Sequence, residues 1–255
     1  MNGITDAGLL FGTGIVGGIV GAVAGGAGLF TFPALLYVGL NPVVASASNF
    51  VALIPTGIAA VLAARHQLSG TRGRICQLMP TIVIGSLLGA ILLISIPVPT
   101  FTKIFPALLL LATVLFAFAP RLTRNLAADP GLRSGLMRQH GLLFLAGIYC
   151  GLFGAGAGII ILAALSMTPW RAIHQLNAVK NITISIASLS GMWIFIASDS
   201  VHWKETLMVM SGAIVGGYLG GFASEHINEK WIRRIVIATG LLLSAYYGVS
   251  VLPVP

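Results

Sequence analysis

Negative charge is nearly missing from this chain of 255 residues. Asp6, Asp129, Asp199, Glu205, Glu225 and Glu229 are its only carboxylate side chains, all in predicted loops or at segment ends. Charged residues of both signs make up 8% of the sequence, against about 25% in soluble domains. A soluble globular domain is excluded, and with it the mid-membrane carboxylate that proton-driven carriers commonly use as a relay. Cysteine is limited to Cys76 and Cys150, without metal-ligand spacing, so both thiols are expected to pack in apolar surroundings rather than pair or bind metal. His66, His140, His202 and His226 are expected in loops, without triad or zinc spacing, and no nucleophile–base set, phosphate loop or haem signature occurs. No enzyme activity, metal or cofactor is expected. Residues 1–6 carry no positive n-region, so no cleaved signal peptide is expected either.

What fills the sequence instead is apolar, at 57% of residues. Membrane-length apolar runs cover approximately 9–40, 43–64, 75–96, 101–119, 141–165, 172–197, 207–223 and 232–252. A transmembrane barrel would show short alternating segments instead. The expected fold is therefore an all-α polytopic membrane protein. The arginine-rich stretch 120–140 is the evident linker, which divides the chain into a first repeat (1–119) and a second (141–255), four segments each. The formal net charge of +8 does not point to nucleic acid, because the basic residues sit in short loops between apolar segments.

Glycine is the second abundance, and it is duplicated. Gly21, Gly25, Gly26 and Gly28 lie in the first apolar run, and Gly151, Gly154, Gly156 and Gly158 in the fifth, with Gly28 and Gly158 separated by 130 positions. Glycine this dense breaks helices and lets backbones or ligands approach closely. Lipid tolerates such a break only where protein or a polar cavity surrounds it, and a duplicated break marks a transport site. Further matches follow in the same order: Gly85/Gly89 with Gly216/Gly220, Asn49 and Thr56 with Asn181 and Ser188, Asn41-Pro42 with Thr168-Pro169. The spaced glycines Gly85 and Gly89 are expected to be helix-packing faces. Asn41 and Thr168, each ahead of a proline, are expected N-caps.

Charge placement favours inverted halves. If every segment spans, Lys103, Arg171, Lys230, Arg233 and Arg234 all face outward. If each glycine segment is a re-entrant hairpin, the second half is inverted and only Lys103 and Lys204 do. The first glycine run agrees with the hairpin, since 32 residues of straight helix would reach about 48 Å across a core of about 30 Å.

One positive charge lies inside an apolar segment. If its helix begins at Pro169, Lys180 is about 16 Å in, near the middle of a bilayer. Its ammonium can meet an anion, snorkel to the interface or serve as a buried tie; anion contact is the favoured use. His174, Asn177, Asn181, Ser185 and Ser188 form a polar stripe on the same helix, and Ser46, Asn49 and Thr56 a sparser one in the first half, with Ser48 to one side. Asn49, Asn181 and the two breaks are expected to face each other across a pseudo-two-fold axis. Helix N-termini at the breaks favour an anion, while freed carbonyls favour a cation such as Na⁺.

Gly17–Pro33, followed by Leu40-Asn41-Pro42 and Ala45–Asn49, resembles the opening of the sulfite exporter TauE/SafE family; Gly147–Gly158, Thr168-Pro169 and Ala178–Asn181 look like its repeated counterpart. The resemblance implies transport of small sulfur-containing or organic anions, such as sulfite or sulfonates, across a prokaryotic plasma (inner) membrane. His174, Asn177 and Lys180 stand where that family pattern leads one to expect smaller polar residues, and this points to a more strongly anionic ligand. The expected substrate-binding residues are Lys180, Asn181, Asn177, Asn49, Ser46, Ser48, Gly26, Gly28, Gly156, Gly158 and His174. The expected partners are a small anion, the lipid bilayer, a coupling ion (Na⁺ or H⁺) and further copies of the chain in a homo-oligomer, with no nucleic acid. An anion channel with the same lining is the alternative to a carrier.

Overall fold

The computed structural model describes residues 3–63, 65–68, 70–128, 136–167, 173–223 and 229–251, and every regular element among them is helical. The first glycine run forms α1 (Gly3–Ala24) and α2 (Gly28–Tyr37), and the next segment forms α3 (Pro42–Ala52) and α4 (Ile54–Ala63). A 3-10 turn (Arg65–Leu68), α5 (Arg72–Ser95) and α6 (Val98–Ala128) complete the first half. The second half comprises α7 (Leu136–Leu152), α8 (Ala157–Leu165), α9 (Ile173–Ala197), α10 (Trp203–Ala223) and α11 (Glu229–Val251). Among the described residues five helical stretches are long and apolar enough to cross a membrane: Thr5–Ala24, Pro42–Leu62, Ile75–Ser95, Val98–Ala119 and Gln175–Ala197. The all-α polytopic architecture follows.

Both glycine runs break as their composition dictates. α1 stops at Gly25, whose φ of +81° only glycine adopts without strain, and its N–H closes the helix onto Val20 and Gly21. α7 stops at Gly154 (φ +77°), and Gly156 (φ +81°) opens α8. Each short helix then folds back on its predecessor. A Cβ on Gly17 would meet Thr31 and one on Gly21 would meet Ala27, so α2 runs antiparallel to α1. Gln139 near the start of α7 donates to the Ala164 carbonyl near the end of α8 at 3.1 Å.

A third break lies between α3 and α4, where a continuous segment was expected. Pro55 has no N–H to return to Val51, so the ladder fails at Leu53. The expected N-cap at Asn41 holds: its side chain accepts from Val44 N at 3.0 Å with Pro42 in the first helical position. Thr168 and Pro169 lie outside the described residues. α6 runs on to Ala128 and α7 begins at Leu136, so helix occupies much of the stretch expected as a linker. Its arginines alternate with leucine and alanine, which are good helix formers.

Glycine contacts also fix helix direction. The most extensive packing is α1 on α10, then α5 on α7. Gly14 and Gly18 of α1 press on the backbone at Val209 and at Ala213–Gly217, and Gly85 and Gly89 press on Phe144–Gly151, so both pairs run parallel. Gly217 and Gly221 lie on Thr56 and Ala60, which makes α10 parallel to α4 as well. Gly57 faces Asn181 and Ser185 while Gly191 faces Phe50, so α9 opposes α3 and α4. α5 runs with α9, since Ile75 and Ile182 line the same cavity at one end and Ser86 bonds the Ala187 carbonyl further on. α7, parallel to α5, therefore opposes α1. Gly85, Gly89, Gly216 and Gly220 are packing faces, as expected. Removing the side chain lets two backbones approach where lipid offers no hydrophobic drive for association.

The apolar centre is aromatic. Phe32 of α2 meets Phe105 of α6 and Phe153 of the second break edge-on, at 5.6 and 5.0 Å between centroids. This cluster pins both hairpins to α6.

Candidate functional site

The two breaks touch. A Cβ on Gly25 would lie 2.9 Å from the Gly158 Cα, and one on Gly158 would lie 2.8 Å from the Gly25 Cα. The companion contact sets Gly28 against Ala155. α6 closes one side, with the Phe116 ring on Gly26 and Ala112 on Gly156. On another side lies a cavity of about 50 Å³ lined by residues of the first hairpin, by Leu53, Thr56 and Gly57 at the α3–α4 break, by Gly154, and by Asn181 and Ile184 of α9. A single water needs about 10–15 Å³ on this measure, so a solute of a few heavy atoms fits.

The lining is small, neutral and polar at two points. Asn181 donates its amide to the Ala22 carbonyl at 3.2 Å. Thr56 is only 4% exposed and, among the described residues, its Oγ1 has no hydrogen-bond partner. A buried hydroxyl in that state is poised for a ligand or a water, because leaving it unmade costs about 1–3 kcal/mol. Ala27 and Gly28, at the N-terminus of α2, also line the cavity and present the positive end of a ten-residue helix. Positive field and hydrogen-bond donors at one small cavity suit an anion.

Lys180 is fully buried and does not snorkel; its Nζ donates to the Ala22 carbonyl at 3.2 Å and the Val23 carbonyl at 3.5 Å. These are C-terminal carbonyls of α1, left without intrahelical partners by the break. At the matching end of α7, the Leu152 carbonyl accepts from Ser46 Oγ at 3.2 Å. Each interrupted helix is thus finished by a polar side chain from the other half.

The remaining expected site residues separate by role. Gly28 and Asn181 line the cavity, while Gly26, Gly156 and Gly158 provide the close approach of hairpins and α6. Asn49 Oδ1 accepts from the Thr31 hydroxyl at 2.5 Å, so Asn49 and Asn181 both serve the first hairpin instead of one each. Ser48 Oγ accepts from His202 N at 2.9 Å, ahead of α10. Asn177 is not among the lining residues, and its buried Oδ1 has no partner among the described residues. The His174 side chain lies outside the described residues. Ser185 bonds back to the Asn181 carbonyl on its own helix. Leu53 and Gly57 are lining residues that the polar stripes did not single out, and Thr56, which the first-half stripe includes, was not among the expected binding residues; Pro55, one residue before Thr56, was the available signal.

The family model described as sulfite exporter TauE/SafE matches residues 10–247. The chain belongs to the sulfite exporter TauE/SafE family. It is 30% identical over 254 residues to a probable membrane transporter protein of Haemophilus influenzae, covering 95% of this chain and 94% of that one. It is 25% identical over 245 residues to the probable membrane transporter protein YfcA of Escherichia coli, covering 93% and 88%. No solved structure matches. Membership makes this a multi-pass protein of a membrane transporter family.

Proposed function

We propose that this TauE/SafE protein is a secondary carrier for a small sulfur-containing or organic anion, such as sulfite or a sulfonate, in a prokaryotic plasma membrane. The anion would occupy the cavity where Gly25 and Gly158 meet, hydrogen-bonded by Thr56 and Asn181 and held in the field of the α2 N-terminus. The observation that carries this reading is the Thr56 hydroxyl, without a hydrogen-bond partner among the described residues, in the lining of a small cavity between two helix breaks. Lys180, bonded to α1 carbonyls, acts on the anion through its charge. Inverted halves, with the two hairpins entering from opposite faces, would let one group of helices rock against the other around a fixed site.

A melting screen of purified protein against sulfite, sulfate, thiosulfate, sulfonates and small carboxylates tests the ligand class, since a ligand that binds the native state raises the melting temperature. One of the sulfur oxyanions or sulfonates is expected to stabilise selectively, and that anion should show saturable counterflow in liposomes. A flat screen would reject the anion reading. Large single-channel currents without counterflow would replace the carrier by a channel.

A further inference from the structure

We infer that Lys180 is a built-in substitute for a coupling cation: its ammonium fills the carbonyl seat at the end of α1 that a free metal cation would otherwise have to occupy, so the transport cycle of this chain needs no Na⁺ there. The inference rests on the carrier reading above and assigns the cation side of the same site. Where transporters interrupt a helix in the membrane, the freed C-terminal carbonyls are where a coupling ion is held. Those carbonyls bear the negative end of the helix dipole. In this chain Ala22 and Val23 supply two of them, and the fully buried Nζ of Lys180 reaches both, while Asn181 donates a second hydrogen bond to Ala22.

The comparison between halves makes the assignment specific. The matching carbonyl of α7, on Leu152, is met by the neutral hydroxyl of Ser46. A mere need to cap a broken helix end is therefore answered at one end without charge. Among the described residues, the positive charge is placed at the end whose Ala22 and Gly25 also bound the cavity. There its Nζ bonds the carbonyl of Ala22, a residue that bounds the cavity, so the ammonium offsets the charge of the proposed anion while staying with the protein, whereas a coupling metal ion would be carried across.

The test uses purified full-length protein with Na⁺ exchanged for choline at constant ionic strength. The wild-type melting temperature is expected to be unchanged by the exchange. Lys180→Ala should melt lower in choline and recover by about 2–4 °C or more when Na⁺ or methylammonium refills the seat. In liposomes the variant should lose sulfite flux about ten-fold or more in choline, with partial return in either cation. A wild-type protein stabilised by Na⁺ over choline would overturn the inference, as would a folded Lys180→Ala indifferent to every small cation. Should that variant not fold, the wild-type exchange alone decides, and Lys180→Arg, which keeps the charge, should keep the same indifference to Na⁺. None of these melting readouts requires sulfite to be the substrate, so their failure is distinct from a failure of the carrier reading.

Discussion

At the scale of single residues, the site turns on which polar groups are already satisfied. Ser46, Ser48, Asn49, Ser185 and Lys180 all spend hydrogen bonds on protein atoms. Thr56 does not, among the described residues. Thr56→Val, nearly the same shape without the hydroxyl, should leave the melting temperature of unliganded protein unchanged or slightly raised. The apparent affinity for the transported anion should fall about ten-fold, the worth of one hydrogen bond in a buried site. A substrate titration by melting shift, run on both proteins, reads the two effects separately; unchanged affinity removes Thr56 from the site. Sequence alone could not make this distinction. It places Lys180 at depth and Asn181 beside it, but their partners on α1 come from some 158 residues away, and no periodicity shows what a polar side chain finds across the fold.

At the scale of elements, much more was legible. The breaks after Ala24 and Leu152 follow from glycine density, and the spaced glycines of α5 and α10 from the need for close backbone contact in lipid. The α3–α4 break was missed as an element although Pro55 announced it, because the apolar run continues unbroken across the kink. What glycine density does not reveal is that the hairpin tips lie in mutual contact. Gly25→Ala tests this contact twice over. The substitution meets the Gly158 Cα at 2.9 Å and forces an L-residue to φ +81°, the latter alone costing about 1–2 kcal/mol. The melting temperature should fall by several degrees and transport should be lost. Gly12→Ala on the same helix, where a Cβ meets nothing within 4 Å, should be neutral or slightly stabilising. Equal behaviour of the two variants would mean that the tips do not meet.

At the scale of the molecule, helix direction and charge give the same answer from independent sources. Joined to α5 by two residues, α6 turns back along it, and α11 opposes α6 because Gly240 meets Thr113 while Tyr247 meets Phe105. With α1, α4, α6 and α10 running one way and α5, α7, α9 and α11 the other, Arg65, Arg72, Arg121, Arg138, Arg233 and Arg234 gather at one end. Lys103 and Lys204 lie at the opposite end. Basic residues are retained on the cytoplasmic side, which predicts that the arginine end faces the cytoplasm and that the start of α1 and the end of α11 face out. Single cysteines decide this. Cys76 is exposed and is replaced by alanine first, while the buried Cys150 is left in place. Lys204→Cys should then react with a membrane-impermeant maleimide in intact cells. Arg138→Cys should react only in inverted vesicles or after permeabilisation. Labelling of both from the same side would put the two halves parallel, and the two hairpins could then no longer enter from opposite faces. In the carrier reading proposed above, the rocking motion that would expose one central cavity alternately to each side draws on that inversion, because oppositely oriented halves can exchange conformations and so turn an inward-facing state into an outward-facing one.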